Sequence, residues 1–137
     1  MVEVAIDTAL STVQLIRITA ARDVGRAINP QMAERQIEGG IAQGIGLALM
    51  KEYLPGRTEN LHDYLIPTTG AVPPIESILI EVPDPEGPMG AKGLGEHVLI
   101  PTAPATLNAI RPATGAIVTK LPALPHRLLN AIKAARA

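Results

Sequence analysis

Apolar and polar residues alternate in two stretches near the start of the chain. Val2–Asp7 and Thr12–Ala21 both show this two-residue period, and the short polar segment Thr8–Ser11 separates them. Because the side chains of a strand point alternately to opposite faces, the pattern predicts an antiparallel β-hairpin. The same alternation returns in Ile75–Val82, which predicts a further strand.

After Asn29 the apolar residues follow a helical period. Asn29 is a good helix cap and Pro30 suits the first helical turn, so a helix is predicted from there to about Lys51. Apolar residues recur every four positions along it, which indicates one buried face. The residues expected on or near that face are Ile37, Ile41, Ile45, Leu49, Met32 and Ala48.

Two shorter helices are predicted near the end of the chain. Thr102 is expected to cap a helix over Ala103–Ile110, which Pro112 and Gly115 stop. Pro125–Ala134 is expected to form the last helix, with Leu128, Leu129 and Ile132 buried. The fold class predicted from these elements is α+β, with a hairpin and at least one further strand packed against about three helices. Residues 1–137 are expected to form a single domain.

Composition excludes several classes of function. The chain has no Phe or Trp and only two tyrosines, so it lacks the aromatic side chains on which the bases of single-stranded nucleic acid stack. Its net charge of -1 also shows no excess of basic residues of the kind that binds nucleic acid. It has no cysteine, which excludes disulfides and cysteine-ligated iron–sulfur clusters in this chain. The three histidines are far apart, so no protein-ligated metal site is expected. We expect a soluble cytoplasmic protein that binds neither nucleic acid nor membranes.

The segment "GPMGAKGLGE", from Gly87 to Glu96, is the richest in glycine. It matches neither the phosphate-binding pattern that requires Ser or Thr after Gly-Lys nor the dinucleotide-binding spacing of glycines. The residues alone predict a turn whose backbone can approach an anion or a large cofactor. A glutamate at the end of such a turn is more often solvated than catalytic, so spacing leaves the role of Glu96 open.

A second glycine cluster lies inside the first predicted helix, in "QIEGGIAQGIG". Gly40 and Gly44 share one face, and close packing of the helix against another backbone is the favoured interpretation. The alternative is that the amides of Gln36 and Gln43 reach a polar ligand across this bare surface.

Several motifs together resemble one family. The stretches "DVGRAINPQMAERQIEGGIAQGIGLAL", "YLIPT", "PDPEGPMGAKGLGE", "PTAPATLNAI" and "LPALPHRLLNAI" occur in this order between about Val4 and Ile132. In this order they are similar to the C-terminal part of the molybdopterin-binding large subunit of the xanthine dehydrogenase and aldehyde oxidase family. Arg35 departs from the family pattern, in which many members carry glycine at that position. Pro112 departs as well, since it is expected to interrupt a helix.

The resemblance implies molybdenum hydroxylase chemistry, in which an aldehyde or an N-heterocycle is oxidatively hydroxylated with water as the oxygen source. Glu96 matches the glutamate that acts as general base toward a hydroxyl ligand of molybdenum. Gln36, Lys92, Gly93 and Gly95 match residues close to the molybdopterin cofactor, and the helix glycines would leave room for it. The cofactor performs the redox chemistry, while the protein supplies position and a base.

The resemblance also implies partners, because the molybdenum subunits of this family are several times longer than this chain. The first hypothesis is that the chain completes an active site with a partner that carries the rest of the molybdenum subunit and shares the cofactor. Iron–sulfur clusters and FAD are expected on other subunits. A homo-oligomer is another way of covering exposed apolar faces. The alternatives are a non-catalytic remnant that serves as an assembly module and a free-standing binder of phosphates or nucleotides.

Overall fold

The computed structural model describes residues 1–136 and contains a three-stranded mixed sheet with three helices. The strands are β1 (Val2–Asp7), β2 (Thr12–Asp23) and β3 (Ile75–Ile80), and β2 is central. β1 pairs antiparallel with β2, which confirms the predicted hairpin. β3 runs parallel to β2, so that its last residue, Ile80, lies beside Asp23. This pairing brings the segment after β3 to the end of β2.

The first helix, α1, spans Pro30–Leu49 and begins as predicted. The side chain of Asn29 accepts a hydrogen bond from the Met32 N–H at 3.1 Å, which satisfies one of the free N–H groups of the first turn. Ile37, Ile41 and Ile45 are all buried beneath the sheet. Met32, which was expected near the buried face, is 55% exposed because it lies in the first turn, beyond the edge of the core.

The second helix, α2, differs from the prediction at both ends, since it spans Thr102–Thr114 and includes Pro112. Thr102 does not cap it, because its hydroxyl donates to the Val98 carbonyl at 3.2 Å. Pro112 does not end it either, so the expected interruption at this residue is wrong. Gly115 ends α2 instead, since it takes the left-handed conformation and donates its N–H to the Arg111 carbonyl.

The helices cover one face of the sheet, and the last of them, α3, spans Pro125–Arg136. One buried cluster joins α1 to β2, and a second joins α2 to α3. Leu128 and Ile132 of α3 belong to the second cluster, while Leu129 is only half-buried. The opposite face of the sheet carries exposed apolar residues that residues 1–136 leave uncovered, among them Ile78 and Ile80.

Candidate functional site

The glycine-rich segment is attached by its backbone to the end of β2. Val24 continues from β2 and donates its N–H to the Ile80 carbonyl at 2.9 Å, which holds it against the end of β3. The Lys92 N–H donates to the Val24 carbonyl at 3.0 Å, and the Arg26 N–H donates to the Gly90 carbonyl at 2.8 Å. Residues 24–26 and 90–92 therefore form a short two-stranded junction.

This junction requires a glycine at position 25. Gly25 has a φ of +66°, which L side chains rarely adopt. A Cβ on Gly25 would also lie 2.8 Å from the Lys92 nitrogen and would overlap the Gly90 carbonyl oxygen. The two backbones can approach this closely only because Gly25 has no side chain.

An ion pair closes the junction. The Lys92 ammonium lies 2.5 Å from one carboxylate oxygen of Asp23, and the other oxygen accepts the Gly25 N–H at 2.9 Å. These two contacts, the Lys92 hydrogen bond foremost, hold the pKa of Asp23 below its ordinary value. Both oxygens of Asp23 are therefore engaged by the chain itself.

A second fixed point follows Glu96 in the chain. Val98 is fully buried, and its side chain fills the space that a Cβ on Gly40 of α1 would occupy. Its carbonyl accepts hydrogen bonds from the Thr102 hydroxyl and from Arg22. Glu96 thus lies in a short stretch between the junction at Lys92 and the buried Val98.

We call residues 93–97, which lie between these two fixed points, the Glu96 segment. Within residues 1–136, none of its backbone N–H groups has an acceptor, and the Glu96 carboxylate makes neither a hydrogen bond nor an ion pair. A Cβ on Gly93 or Gly95 would meet nothing within 4 Å, and neither residue has a left-handed φ. The fold of residues 1–136 therefore gives no reason for glycine at these two positions.

Gln36 is the predicted site residue that reaches this segment from α1. Its side-chain amide donates to the Gly95 carbonyl at 3.2 Å, although the two residues are 59 positions apart in the chain. Both Gln36 and Glu96 are exposed, so this contact lies at the surface. The structure thus places Gln36, Gly95 and Glu96 together, with Gly93 and Lys92 immediately before them in the chain.

Sequence reasoning missed two residues of this region, Asp23 and Gly25. Their signal was an Asp-x-Gly triplet at the end of a strand, a pattern typical of turns in which the carboxylate accepts a nearby backbone N–H. The partner of Asp23 could not be read from the sequence, because Lys92 lies 69 positions away.

The glycines inside α1 serve packing within the chain. A Cβ on Gly44 would lie 2.5 Å from the Thr102 Cβ, just as a Cβ on Gly40 would overlap Val98. Close packing of the helix is therefore confirmed for Gly40 and Gly44, although the groups that pack there are the side chains of Val98 and Thr102 and not another backbone. The expectation that these two glycines leave room for a cofactor is wrong, because the space is filled. Gly39 differs, since a Cβ there would meet nothing within 4 Å.

The described part of the chain has neither a candidate metal site nor a candidate membrane-spanning helix. Residues 1–136 contain no group of three or more metal-ligating side chains that could hold an ion. Among the helices of the same residues, none is long and apolar enough to cross a membrane.

Comparisons with known proteins identify the family. The model of the molybdopterin cofactor-binding domain family matches residues 1–73, just over half of the chain. A putative xanthine dehydrogenase molybdenum-binding subunit, XdhA of Escherichia coli K12, is 40% identical over 133 residues, which cover 93% of this chain and 18% of that protein. The large subunit of nicotine 6-hydroxylase from Paenarthrobacter nicotinovorans is 36% identical, with coverage of 95% and 17%.

A solved structure agrees with this result. Aldehyde oxidoreductase from Desulfovibrio gigas superimposes with a TM-score of 0.90 at 35% identity, over 95% of this chain and 15% of that one. The chain therefore belongs to the molybdopterin cofactor-binding domain family. It is similar to part of a putative xanthine dehydrogenase molybdenum-binding subunit and to part of an aldehyde oxidoreductase. The resemblance, the α+β fold class and molybdopterin as the cofactor of the family are confirmed. The chain spans less than a fifth of the length of these relatives.

Proposed function

We propose that this chain forms part of the active site of a molybdenum hydroxylase and supplies its general base, Glu96. The observation that carries the proposal is the Glu96 segment, in which the carboxylate of Glu96 and the backbone N–H groups have no hydrogen-bond partner within residues 1–136, and Gly93 and Gly95 face open space. Backbone of this kind is what a large cofactor with many hydrogen-bond acceptors requires.

The residues present fit molybdopterin in their shape and in their hydrogen-bonding groups. Gly93 and Gly95 leave open space where a side chain would stand, so a planar group can lie against the backbone. The unpaired N–H groups of the segment can donate to it. Gln36 already uses its amide N–H on the Gly95 carbonyl, which leaves its amide oxygen to accept a further hydrogen bond. Gln36, Lys92, Gly93 and Gly95 thus stay our proposed residues of the cofactor site.

Glu96 would act as the proton acceptor of the reaction. Conversion of a substrate C–H and water to C–OH releases two electrons and two protons, and the bound cofactor supplies the two-electron oxidation. The Glu96 carboxylate takes a proton from the oxygen that is transferred to the substrate. It can do so because none of the residues 1–136 makes a hydrogen bond or an ion pair with the Glu96 carboxylate oxygens.

The names and the lengths of the relatives support a proposal for the substrate class and the partners. Their names include a xanthine dehydrogenase, a nicotine hydroxylase and an aldehyde oxidoreductase, so we propose an aldehyde or an N-heterocycle as substrate. Because the chain spans so little of them, we propose that a partner carries the rest of the molybdenum subunit and shares the cofactor. The exposed apolar residues on the open face of the sheet support such a partner. Electrons would leave through iron–sulfur and flavin subunits.

Substitution of Glu96 tests this proposal. In the complex assembled with its partner, Glu96→Gln should lower kcat by about 10²-fold to 10⁴-fold, because general-base catalysis contributes rate factors of this order. Molybdenum content and assembly should stay unchanged, since Gln has nearly the same shape. Glu86→Gln is the matched control, because Glu86 is an exposed glutamate directly before the glycine-rich segment. Turnover by Glu96→Gln at the rate of the Glu86→Gln control would contradict the proposal.

A further inference from the structure

The ion pair between Asp23 and Lys92 connects the end of β2 to the segment that carries the proposed base, Glu96. Asp23 is the last residue of β2, and Lys92 is the last residue of the junction before the Glu96 segment begins. Between Lys92 and the buried Val98, the contact of Gln36 with the Gly95 carbonyl is the only hydrogen bond within residues 1–136 that ties the Glu96 segment to α1 or the sheet. The position of Lys92 therefore fixes where the segment that carries Glu96 begins.

The charge of Lys92 already has a partner within the chain. Its ammonium lies 2.5 Å from Asp23, whereas a lysine that binds an anionic group directly would hold its ammonium free for that group. Asp23 in turn uses both carboxylate oxygens, one for Lys92 and one for the Gly25 N–H. The charged groups of Asp23 and Lys92 thus have their partners within the chain, and the pair joins β2 to the glycine-rich segment.

We propose that Asp23 and Lys92 are positioning residues, which set the place of the Glu96 carboxylate by fixing the start of the Glu96 segment. Lys92 then serves the cofactor site through Asp23, rather than through a direct contact of its ammonium with the cofactor. This inference rests on the proposed function, because it assumes that Glu96 is the base. Displacement of a reacting group by about 1 Å can cost up to about 10²-fold in rate.

The test is a double-mutant cycle in the assembled complex. Asp23→Asn and Lys92→Met should each lower kcat roughly tenfold with little change in KM or molybdenum content, because the reaction geometry is altered and the cofactor stays bound. The double variant should be no slower than either single variant, since both remove the same contact. Lys92→Arg, which keeps the charge, should restore most of the rate.

A matched control and a second readout separate positioning from general damage. Arg17 and Glu3 form an exposed ion pair of 2.8 Å between β1 and β2, so Arg17→Met should leave kcat unchanged. Hydrogen exchange should accelerate at the N–H groups of Arg26 and Lys92 in Asp23→Asn and Lys92→Met, because the junction opens more often. The same exchange should be unaltered in Arg17→Met.

Three outcomes would overturn the inference. Loss of molybdenum in Lys92→Met, with Asp23→Asn like the parent, would mean that Lys92 contacts the cofactor directly. Effects on kcat that multiply in the double variant would mean that the two residues act independently. Unchanged exchange in both variants would mean that the pair does not hold the junction. If Glu96→Gln keeps full turnover, the proposed function fails first, and the exchange measurement still decides whether the pair fixes this segment.

Discussion

At the scale of single residues, the glycines of this chain fall into two groups. Gly25 and Gly90 take left-handed conformations that the junction requires, and Gly40 and Gly44 make room for Val98 and Thr102. Gly39, Gly70, Gly93 and Gly95 satisfy no such need within residues 1–136. A glycine that the fold does not need still costs conformational entropy on folding, which points to a group from outside the chain.

Alanine substitutions should separate these two groups. Gly95→Ala should leave the free energy of unfolding unchanged or raise it by about 0.4 to 1 kcal/mol, since the site is open and the backbone is ordinary. Its molybdenum content should nevertheless fall, because the new methyl group lies where we place the cofactor. Thermal unfolding and metal analysis of the same samples check both results.

Gly25→Ala is the counterpart at the junction. Because Gly25 has a φ of +66° and touches the backbone of residues 90–92, alanine there should lower the free energy of unfolding by more than about 1 kcal/mol. Equal stabilities of Gly25→Ala and Gly95→Ala would contradict the division of the glycines into two groups.

The lowered pKa of Asp23 makes a prediction about pH. Its ordinary value is near 3.8, and the folded protein holds it lower through Lys92 and the Gly25 N–H. The stabilisation is therefore fully present above the ordinary value and is lost as pH falls through the lowered one. The stability difference between the parent and Asp23→Asn should be constant from pH 7 to pH 5 and shrink below pH 4, as measured by urea unfolding. A difference that grows below pH 4 would contradict this assignment.

At the scale of elements, local patterns predicted more than long-range contacts. The hairpin, the Asn29 cap and the buried face of α1 follow from periods and caps that act over a few residues. The predicted start of α2 was wrong, because the Thr102 hydroxyl donates to the carbonyl of Val98, four residues earlier, and does not cap the helix. The parallel pairing of β3 with β2 was not predicted, because it joins residues 57 positions apart, such as Thr19 and Glu76.

The same reasoning explains what could be predicted of the site. Glu96 and its glycines were found as a motif, because they are contiguous in sequence. Asp23 was missed, because only the fold brings it to Lys92.

Two neighbouring glycines of α1 give a test at this scale. Gly40→Ala should lower the free energy of unfolding by about 1 to 3 kcal/mol, because the new methyl group would overlap the buried Val98. Gly39→Ala should raise it by about 0.5 to 1 kcal/mol, since the site is open and alanine favours the helix. Chemical denaturation of the two variants measures both values. The reverse order of stabilities would mean that Val98 does not pack on α1 as described.

At the scale of the whole molecule, the chain is a scaffold with two distinct sides. One face of the sheet is covered by the helices and their two buried clusters, while the other carries the exposed Ile78 and Ile80. The relatives are more than five times as long as this chain, and we propose that residues corresponding to their additional length cover this face. We therefore propose that residues 1–137 act as a single domain inside a larger assembly.

The most direct test of the central claim is analysis of molybdenum and pterin in the chain purified from its native source, with mass spectrometry of the proteins that accompany it. We expect near-stoichiometric molybdenum and a larger partner that carries the rest of the molybdenum subunit. A metal-free chain of 14.4 kDa without such a partner would contradict the account.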